Sequence, residues 1–438
     1  MYSSMKYNLS HPVSKNVGWV VLEKIASLII GLATLALVAR HLGLSNFGLY
    51  SFSIAFPQMM QIISTLGLGQ LVIRDFSQDK LSQSMIIGSM VFLFFVTGLA
   101  SAVATVVLAF LLQSRNPENI VLISIASLSM IFTPSTVISN WFQSQLKAKY
   151  ISIVGIVTLV IVSLIRLILV YYNSGVIWFV CTNVISAGIG AIGLIIAYWK
   201  IKNKFHLWSI DISYIKSILT EGWPKLGHAV VTTLGRKSDM VLLGVLATPE
   251  AVGIYAIAYR IQMYLAFFPS VVANSLAPGL SKSKITTESD YQESLLNSYK
   301  IIFIIFIISG LPIIFLSPGI ISFLYGSEFQ NADSVLSILS AGLLFIGIGN
   351  VRSWFITNER IFKYGLIVGI SVSFISIMGN LLIIPIYGAI GAALVSLLSY
   401  ILGNIIFDWL YRPARKNAFI LLSAIKTLPK NIFHFSKG

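Results

Sequence analysis

Five polar residues recur at helical spacing inside one apolar stretch of the sequence. Lys225, His228, Thr232, Arg236 and Asp239 are separated by three, four, four and three residues, which places them on one face of a helix. At 1.5 Å per residue, Arg236 lies about 20 Å from the start of that stretch. A charge at that depth needs a water-filled cavity or a partner, and the nearest partner is Asp239. The stripe therefore predicts a polar cavity, an internal ion pair, or both.

Cations outnumber anions by seven to three among the ionisable residues of the apolar stretches. The cations are Lys24, Arg166, Lys225, Arg236, Lys237, Arg260 and Arg352. The anions are Glu23, Asp239 and Asp408. Guanidinium groups hold phosphate oxygens through paired hydrogen bonds, so a cavity lined by these cations would attract an anionic headgroup that carries phosphate.

Some of these charges have a structural explanation. For Arg166 and Arg260, the alternative to a functional role is a hydrogen bond between helices. Arg352 and Asp408 lie near the ends of their stretches. We therefore expect their side chains to snorkel to the membrane surface rather than to act on a ligand.

The composition predicts an all-α integral membrane protein. Of 438 residues, 56% are hydrophobic and 10% are charged, whereas a soluble domain has about 25% charged residues. A membrane helix needs about 20 consecutive apolar residues. Twelve stretches meet this requirement, at 17–39, 47–73, 85–112, 120–140, 150–171, 175–197, 222–247, 250–277, 300–325, 332–356, 364–386 and 389–411.

The distribution of basic residues predicts the orientation. With the N-terminus in the cytoplasm, 20 of the 30 Lys and Arg residues fall in cytoplasmic segments, and the external loops hold only Arg40 and Arg115. Cytoplasmic loops of membrane proteins are enriched in Lys and Arg in this way. We therefore expect both termini in the cytoplasm, and most of the formal net charge of +15 is explained without binding to nucleic acid.

Other classes of chemistry are disfavoured. Cys181 is the single cysteine and the five histidines are scattered, so no metal site is expected. The predicted external loops have only a few residues, and no stretch between spans is long enough for a soluble catalytic domain. The sequence lacks a phosphate-binding loop of the Walker A type. These features favour a transporter without a cofactor over an enzyme.

An internal repeat divides the chain into two halves of six spans. Four pairs of similar segments occur in the same order, at offsets that rise from 205 to 215. They are Gly48–Tyr50 with Gly253–Tyr255, Trp141–Phe142 with Trp354–Phe355, Lys149–Ile156 with Lys363–Ile370, and Tyr172 with Tyr387. Because six is even, both halves insert the same way up and should be related by a pseudo-two-fold axis along the membrane normal. The predicted domains are the bundles 1–205 and 206–412 and a cytoplasmic amphipathic tail, 413–438.

Several local motifs resemble those of the Wzx polysaccharide flippases, in the MATE/MurJ-like MOP transporter superfamily. The clearest is the run from Arg40 to Tyr50, Arg-His-Leu-Gly-Leu-Ser-Asn-Phe-Gly-Leu-Tyr. Similar markers are Gly67-Leu68-Gly69 with Arg74, Gly222-Trp223-Pro224, Asp239 to Gly244 followed by Val252 to Tyr255, and Pro385 to Ala392. The resemblance covers essentially all twelve spans.

The resemblance implies a function and partners. Such a flippase carries undecaprenyl-diphosphate-linked oligosaccharide units, as in O-antigen and lipopolysaccharide biosynthesis, across a bacterial inner membrane by alternating access. Glu23 or Asp239 could couple transport to a gradient of protons or another cation. The expected cavity residues are Lys24, Arg166, Lys225, Arg236, Lys237 and Arg260. Expected partners are the lipid-linked glycan, membrane lipids, a polysaccharide polymerase and a chain-length regulator.

Three competing readings remain. A MATE-type exporter of cationic small molecules is the main alternative, but it would need buried carboxylates rather than an excess of cations. A lipid II flippase of the MurJ type usually has two more spans than this chain can hold. An O-antigen polymerase or ligase usually has a large external loop, which is missing from the predicted topology.

Overall fold

The computed structural model describes residues 12–78, 81–113, 116–202 and 208–431, and these residues form helices and no strands. The helices are α1 (Pro12–Thr65), α2 (Gly69–Gln78), α3 (Gln83–Leu112), α4 (Pro117–Ser127), α5 (Ser135–Ser144), α6 (Ala148–Tyr171), α7 (Val176–Lys202), α8 (Ile212–Leu246), α9 (Pro249–Leu265), α10 (Phe267–Thr286), α11 (Glu288–Tyr325), α12 (Ala332–Asn358), α13 (Phe362–Ile401), α14 (Phe407–Leu410) and α15 (Arg415–Asn431). The predicted all-α class is confirmed.

The number of membrane crossings agrees with about twelve. Eight described helical segments are long and apolar enough to cross a bilayer, or nine if α4 and α5 together form one span. Two of the eight, Gly18–Thr65 and Phe362–Leu410, have 48 and 49 residues. A straight helix of that length would measure about 72 Å, whereas a bilayer core is about 30 Å thick, so each is long enough for two crossings. The less apolar α8 carries the charged stripe.

Single glycines replace two of the predicted loops. Gly43 in α1 has φ 72° and ψ 172°, and Gly388 in α13 has φ 52° and ψ −129°. Side chains disfavour positive φ, so glycine is the residue that permits such a break. The chain therefore passes from span 1 to span 2, and from span 11 to span 12, through a kink instead of a loop.

Span 4 is broken near its middle. The helix α4 continues as a 3₁₀ segment, Leu128–Phe132, and α5 begins directly after Pro134, at an angle of 45° to the preceding part. Proline lacks an N–H and cannot continue the α-helical hydrogen bonding. The hydroxyl of Thr133 donates to Met130 O at 2.6 Å, which satisfies one carbonyl at the break.

The first turns of α8 pack on the protein. Tyr214 and Ile218 are buried in an apolar cluster that includes Leu71 and Phe76 of α2. The start of α8 thus buries part of its apolar side against α2.

The chain divides into two compact units, Met1–Thr233 (unit 1) and Leu234–Gly438 (unit 2). The division falls within α8, whereas the repeat places the domain boundary between 205 and 206. The pseudo-two-fold axis stays a prediction.

One turn has the same geometry in both halves of the repeat. Leu146, between α5 and α6, has φ 53°, and Arg360, between α12 and α13, has φ 56°. The N–H of Leu146 donates to Gln143 O at 3.0 Å, and that of Arg360 donates to Thr357 O at 3.2 Å. These positions differ by 214, which is the repeat offset of that region, so the local backbone agrees with the duplication.

The tail contains one long helix. Within 413–438, helix α15 covers Arg415–Asn431, and the residues after 431 lie outside the described part. Leu421 and Ala424 are buried in the core of unit 2. One face of the tail therefore contacts protein, while Phe419 and Leu422 are exposed on another.

Candidate functional site

Asp239 lies in a closed polar pocket inside unit 2. It is 6% exposed. Its Oδ2 accepts hydrogen bonds from the hydroxyls of Tyr255, at 2.8 Å, and Ser396, at 2.5 Å. Its Oδ1 accepts one from Asn380 Nδ2 at 2.7 Å. Three neutral donors thus hold one carboxylate, and the ion pairs of the described residues do not include Asp239.

Two helices position these donors. Tyr255 lies on α9, whose start is fixed by Pro249 and by Thr248, which accepts a hydrogen bond from a backbone N–H as the N-cap. Asn380 and Ser396 lie on α13, before and after the kink at Gly388. The kink folds α13 back, so residues from two spans reach the same carboxylate.

The pocket has the groups that bind a proton or a small cation. A buried carboxylate is costly to keep charged, so it gains from protonation or from an added positive charge. The Oδ1 atom of Asn380 is also buried and has no hydrogen-bond partner. A carboxylate with a neighbouring amide oxygen is a donor set suited to a hard cation.

Glu23, the second candidate for ion coupling, lies in unit 1. Its side chain is 22% exposed, and its Oε1 lies 3.8 Å from Nζ of Lys24, which is 48% exposed. A Cβ atom added to Gly155 of α6 would lie 3.3 Å from the Glu23 carboxyl group. Glu23 is therefore half-buried between α1 and α6, with one long ion pair.

Arg166 joins two helices of unit 1. Its Nε donates to the Thr182 hydroxyl of α7 at 3.0 Å, and that hydroxyl donates to Phe179 O at 2.6 Å. This is the interhelical hydrogen bond expected as the structural alternative. The guanidinium charge is not balanced by this contact, because threonine is neutral.

The other predicted cavity cations are only partly described. In unit 2, Lys237 is exposed and Arg260 is half-buried. The side chains of Lys225 and Arg236 lie outside the described part of the structure. Whether the six cations line one cavity therefore stays a prediction.

Arg352 and Asp408 form a buried network, so the prediction that they snorkel is wrong. Their side chains are 7% and 1% exposed. Asp408 Oδ1 accepts from Arg352 Nε and from the Tyr364 hydroxyl, both at 2.7 Å. Asp408 Oδ2 accepts from Asn417 at 2.8 Å, and Asn417 accepts from the Tyr299 hydroxyl at 2.8 Å. Both side chains stay buried inside unit 2 because each charge has hydrogen-bond partners in the network.

Sequence reasoning missed Tyr255, Asn380 and Ser396 as partners of Asp239. It also missed the pairing of Arg352 with Asp408. Tyr255 lies within a motif that carried the resemblance, but its spacing gave no sign of a contact with Asp239. Two signals were available in the sequence. One was the lone amide of Asn380 in an apolar span, and the other was the opposite charges of Arg352 and Asp408. Their partners are far apart in sequence, and periodicity along one helix cannot pair them.

Comparison with known proteins places the chain and its fold in a class of transporters. The chain belongs to the polysaccharide biosynthesis protein family, whose model matches residues 13–284. The model of the lipid II flippase MurJ family matches residues 213–434. The predicted resemblance to polysaccharide flippases of the MOP superfamily is confirmed.

Two curated relatives are similar in sequence. The probable flippase AglR of Haloferax volcanii is 27% identical over 46% of this chain and 44% of its own length. The chain thus aligns with less than half of that relative. The capsular polysaccharide biosynthesis protein CapF of Staphylococcus aureus is 21% identical over 91% of this chain and 99% of its own.

The solved structures agree on the fold. The inward closed conformation of the lipid II flippase MurJ superposes with a TM-score of 0.73 and 18% identity, over 95% of this chain and 94% of that one. Multidrug transporters of the MATE family share the fold as well. The family and the fold are those of membrane transporters rather than of enzymes.

Proposed function

We propose that this chain is a flippase for oligosaccharide repeat units linked to undecaprenyl diphosphate. It moves O-antigen units, or those of a similar surface polysaccharide, from the cytoplasmic to the outer leaflet of a bacterial inner membrane. Both termini lie in the cytoplasm, and the headgroup passes through a cationic cavity that alternates between the two sides. Family membership and the similarity to AglR and CapF support this proposal.

The observation that carries the proposal is the positive charge left in the membrane spans. Arg352 is balanced by Asp408, but Arg166 bonds to a neutral hydroxyl. No ion pair of the described residues includes Arg166 or Arg260. Unbalanced guanidinium groups in a low dielectric attract anions strongly, and a diphosphate offers several oxygens to each.

The pocket of Asp239 supports coupling to a gradient. Protonation or a bound cation removes the cost of the buried charge. Because the donors come from α9 and from both parts of α13, a change in occupancy alters the contacts of α8 with three other spans. Asp239 therefore couples cation binding to the rearrangement of unit 2, and Glu23 is the second candidate for this role.

A cation-coupled exporter of small molecules is the second candidate function. The buried carboxylate of Asp239 favours it, since such exporters hold cations with acidic groups. The excess of cations over anions in the spans disfavours it, because a positive cavity repels cationic substrates.

The test is to express the chain in cells that lack their own repeat-unit flippases. We expect surface glycan to return and lipid-linked units to become accessible to an enzyme added outside. Arg166→Gln and Arg260→Gln should each reduce export about tenfold or more with normal membrane insertion. Lys282→Gln, an exposed cation outside the predicted spans, is the matched control and should export normally.

If the chain restores no glycan export and instead lowers the cellular content of a cationic dye, the exporter is the correct function. If units reach the outside equally well without the chain, the flippase proposal fails.

A further inference from the structure

Helix α15 is fastened to unit 2 along one face. Leu421 and Ala424 are 2% and 0% exposed on this face. Asn417 belongs to the buried network of Asp408. Lys416 Nζ lies 2.7 Å from Glu359 Oε1. These contacts fix the rotation of α15 about its axis, so the side chains on the opposite face have a defined direction.

The opposite face combines apolar and cationic side chains. Phe419, Leu422 and Ile425 are 58%, 40% and 46% exposed. Arg415 and Lys426 are exposed as well. Arg415, Phe419, Leu422 and Lys426 are four, three and four residues apart, which is the spacing of one helical stripe. A cation thus stands at each end of an apolar row. We call this surface the outer face of α15.

The carboxylates nearest to α15 are already paired. Glu359 lies 2.7 Å from both Lys284 and Lys416, and Glu288 lies 3.0 Å from Lys284 and 3.3 Å from Lys416. Asp408 is buried with its own partners. The outer face therefore keeps its positive charge, to which the exposed Arg412 adds.

The position of α15 places this face at a membrane surface. Only four residues separate the end of the apolar segment Phe362–Leu410 from the start of α15 at Arg415. Arg415 Nε donates to Trp409 O at 2.9 Å, and the Trp409 ring meets that of Phe419 edge-on at 4.9 Å between centroids. The first turn of α15 is thus held against the end of the last span, where headgroups and hydrocarbon meet.

We propose that the outer face of α15 binds the anionic phospholipids of the adjacent leaflet. Its three apolar side chains lie among the acyl chains next to the headgroups, and Arg412, Arg415 and Lys426 contact lipid phosphates. An amphipathic helix with cations on its rim binds anionic lipids through apolar burial and charge together. This contact does not depend on what the chain transports.

A fluorescent label at position 422 tests the proposal in the full chain. Cys181 is the single cysteine, so Leu422→Cys in a Cys181→Ser background can carry an environment-sensitive dye. The protein is placed in nanodiscs of phosphatidylcholine alone or of phosphatidylcholine with phosphatidylglycerol. We expect a blue-shifted emission and a several-fold lower quenching by the neutral quencher acrylamide in the anionic discs, both weakened by added salt.

A matched pair of charge variants separates this surface from a general charge effect. The triple variant Arg412→Gln, Arg415→Gln, Lys426→Gln should lose the difference between the two lipids. The control triple, Lys282→Gln, Arg360→Gln, Lys363→Gln, removes three exposed cations elsewhere in unit 2 and should keep it. Elution as a single species in size exclusion establishes that each variant is folded.

Three outcomes overturn the proposal. Equal protection of the dye in both lipids would mean that only apolar burial holds the face. Equal losses in both triple variants would mean that the total charge decides. A dye that acrylamide reaches equally well in both lipids would mean that the face lies outside the bilayer and is available to a protein partner.

Discussion

Asn380 and Ser396 donate hydrogen bonds to opposite oxygens of the Asp239 carboxylate, although they lie on different sides of the kink in α13. The distances are 2.7 Å to Oδ1 and 2.5 Å to Oδ2. Both donors reach Asp239 only because the chain reverses between them, at Gly388. The backbone of the kink and the chemistry of the pocket are therefore linked.

Replacing Gly388 by alanine should destabilise unit 2. The backbone at Gly388 has φ 52° and ψ −129°, a conformation that costs a residue with a Cβ about 1–3 kcal/mol. Gly319→Ala is the control, because Gly319 is helical and no atom lies within 4 Å of its added Cβ. Thermal unfolding in detergent should show a lower midpoint for Gly388→Ala alone. Equal midpoints would show that the kink carries no strain.

Replacing Asp239 by asparagine should stop coupled transport and leave the fold intact. The amide keeps the shape of the carboxyl group but cannot take up a proton or balance a cation. Export should fall about tenfold or more, while thermal stability stays equal or rises because a neutral group is cheaper to bury. Asp290→Asn, at an exposed acid, serves as control. Gradient-dependent export by Asp239→Asn would remove this residue from the coupling role.

Breaking the pair of Arg352 and Asp408 should lower the free energy of unfolding more than breaking an exposed ion pair. Arg352→Met leaves the buried Asp408 charge uncompensated, at a cost of about 3–5 kcal/mol. The double variant Arg352→Met, Asp408→Leu should recover part of that loss, since no buried charge remains. Lys24→Met, at a partly exposed pair, should change stability by about 0–1 kcal/mol. Chemical unfolding of wild type, Arg352→Met, Asp408→Leu and the double variant measures the cycle, and additive losses would contradict a direct interaction.

Tyr214→Phe should reduce the sensitivity of unit 1 to alkali. Burial, and then the neighbouring Asp75, raise the pKa of Tyr214 well above its ordinary value, and its hydroxyl donates to Asp75 Oδ2 at 2.9 Å. In the unfolded chain a tyrosine has a pKa of about 10. The unfolded state therefore loses its proton first, and the contribution of Tyr214 to stability is full below that pH and declines above it.

The measurement compares unfolding midpoints below and above that pH. Wild type should lose more stability on the alkaline side than Tyr214→Phe, whereas Tyr171→Phe, at a tyrosine that is 84% exposed, should behave as wild type. Identical alkaline losses in wild type and Tyr214→Phe would contradict the assignment.

Most of the helical architecture follows from the sequence, because long apolar stretches are a strong signal. The predicted spans 85–112 and 150–171 agree with α3 and α6 within about two residues. The break in span 4 lies at Pro134. The loops at Gly43 and Gly388 were misjudged, since hydropathy does not distinguish a short loop from a kink at one glycine.

The contacts of the candidate site were much less predictable. Helical periodicity relates residues that are three or four apart, as along α8. Tyr255, Asn380 and Ser396 meet Asp239 only after four segments pack together. For the same reason, Arg352 and Asp408, on different helices, looked like independent charges near span ends.

Where a single glycine reverses the chain, the two spans that it joins have no loop between them. At Gly388 the end of the eleventh span is connected directly to the start of the twelfth. The two spans cannot separate at that end, so any relative motion between them must be greatest at their opposite ends. A tag or insertion placed at this position would lengthen the connection and allow the two spans to move independently of each other.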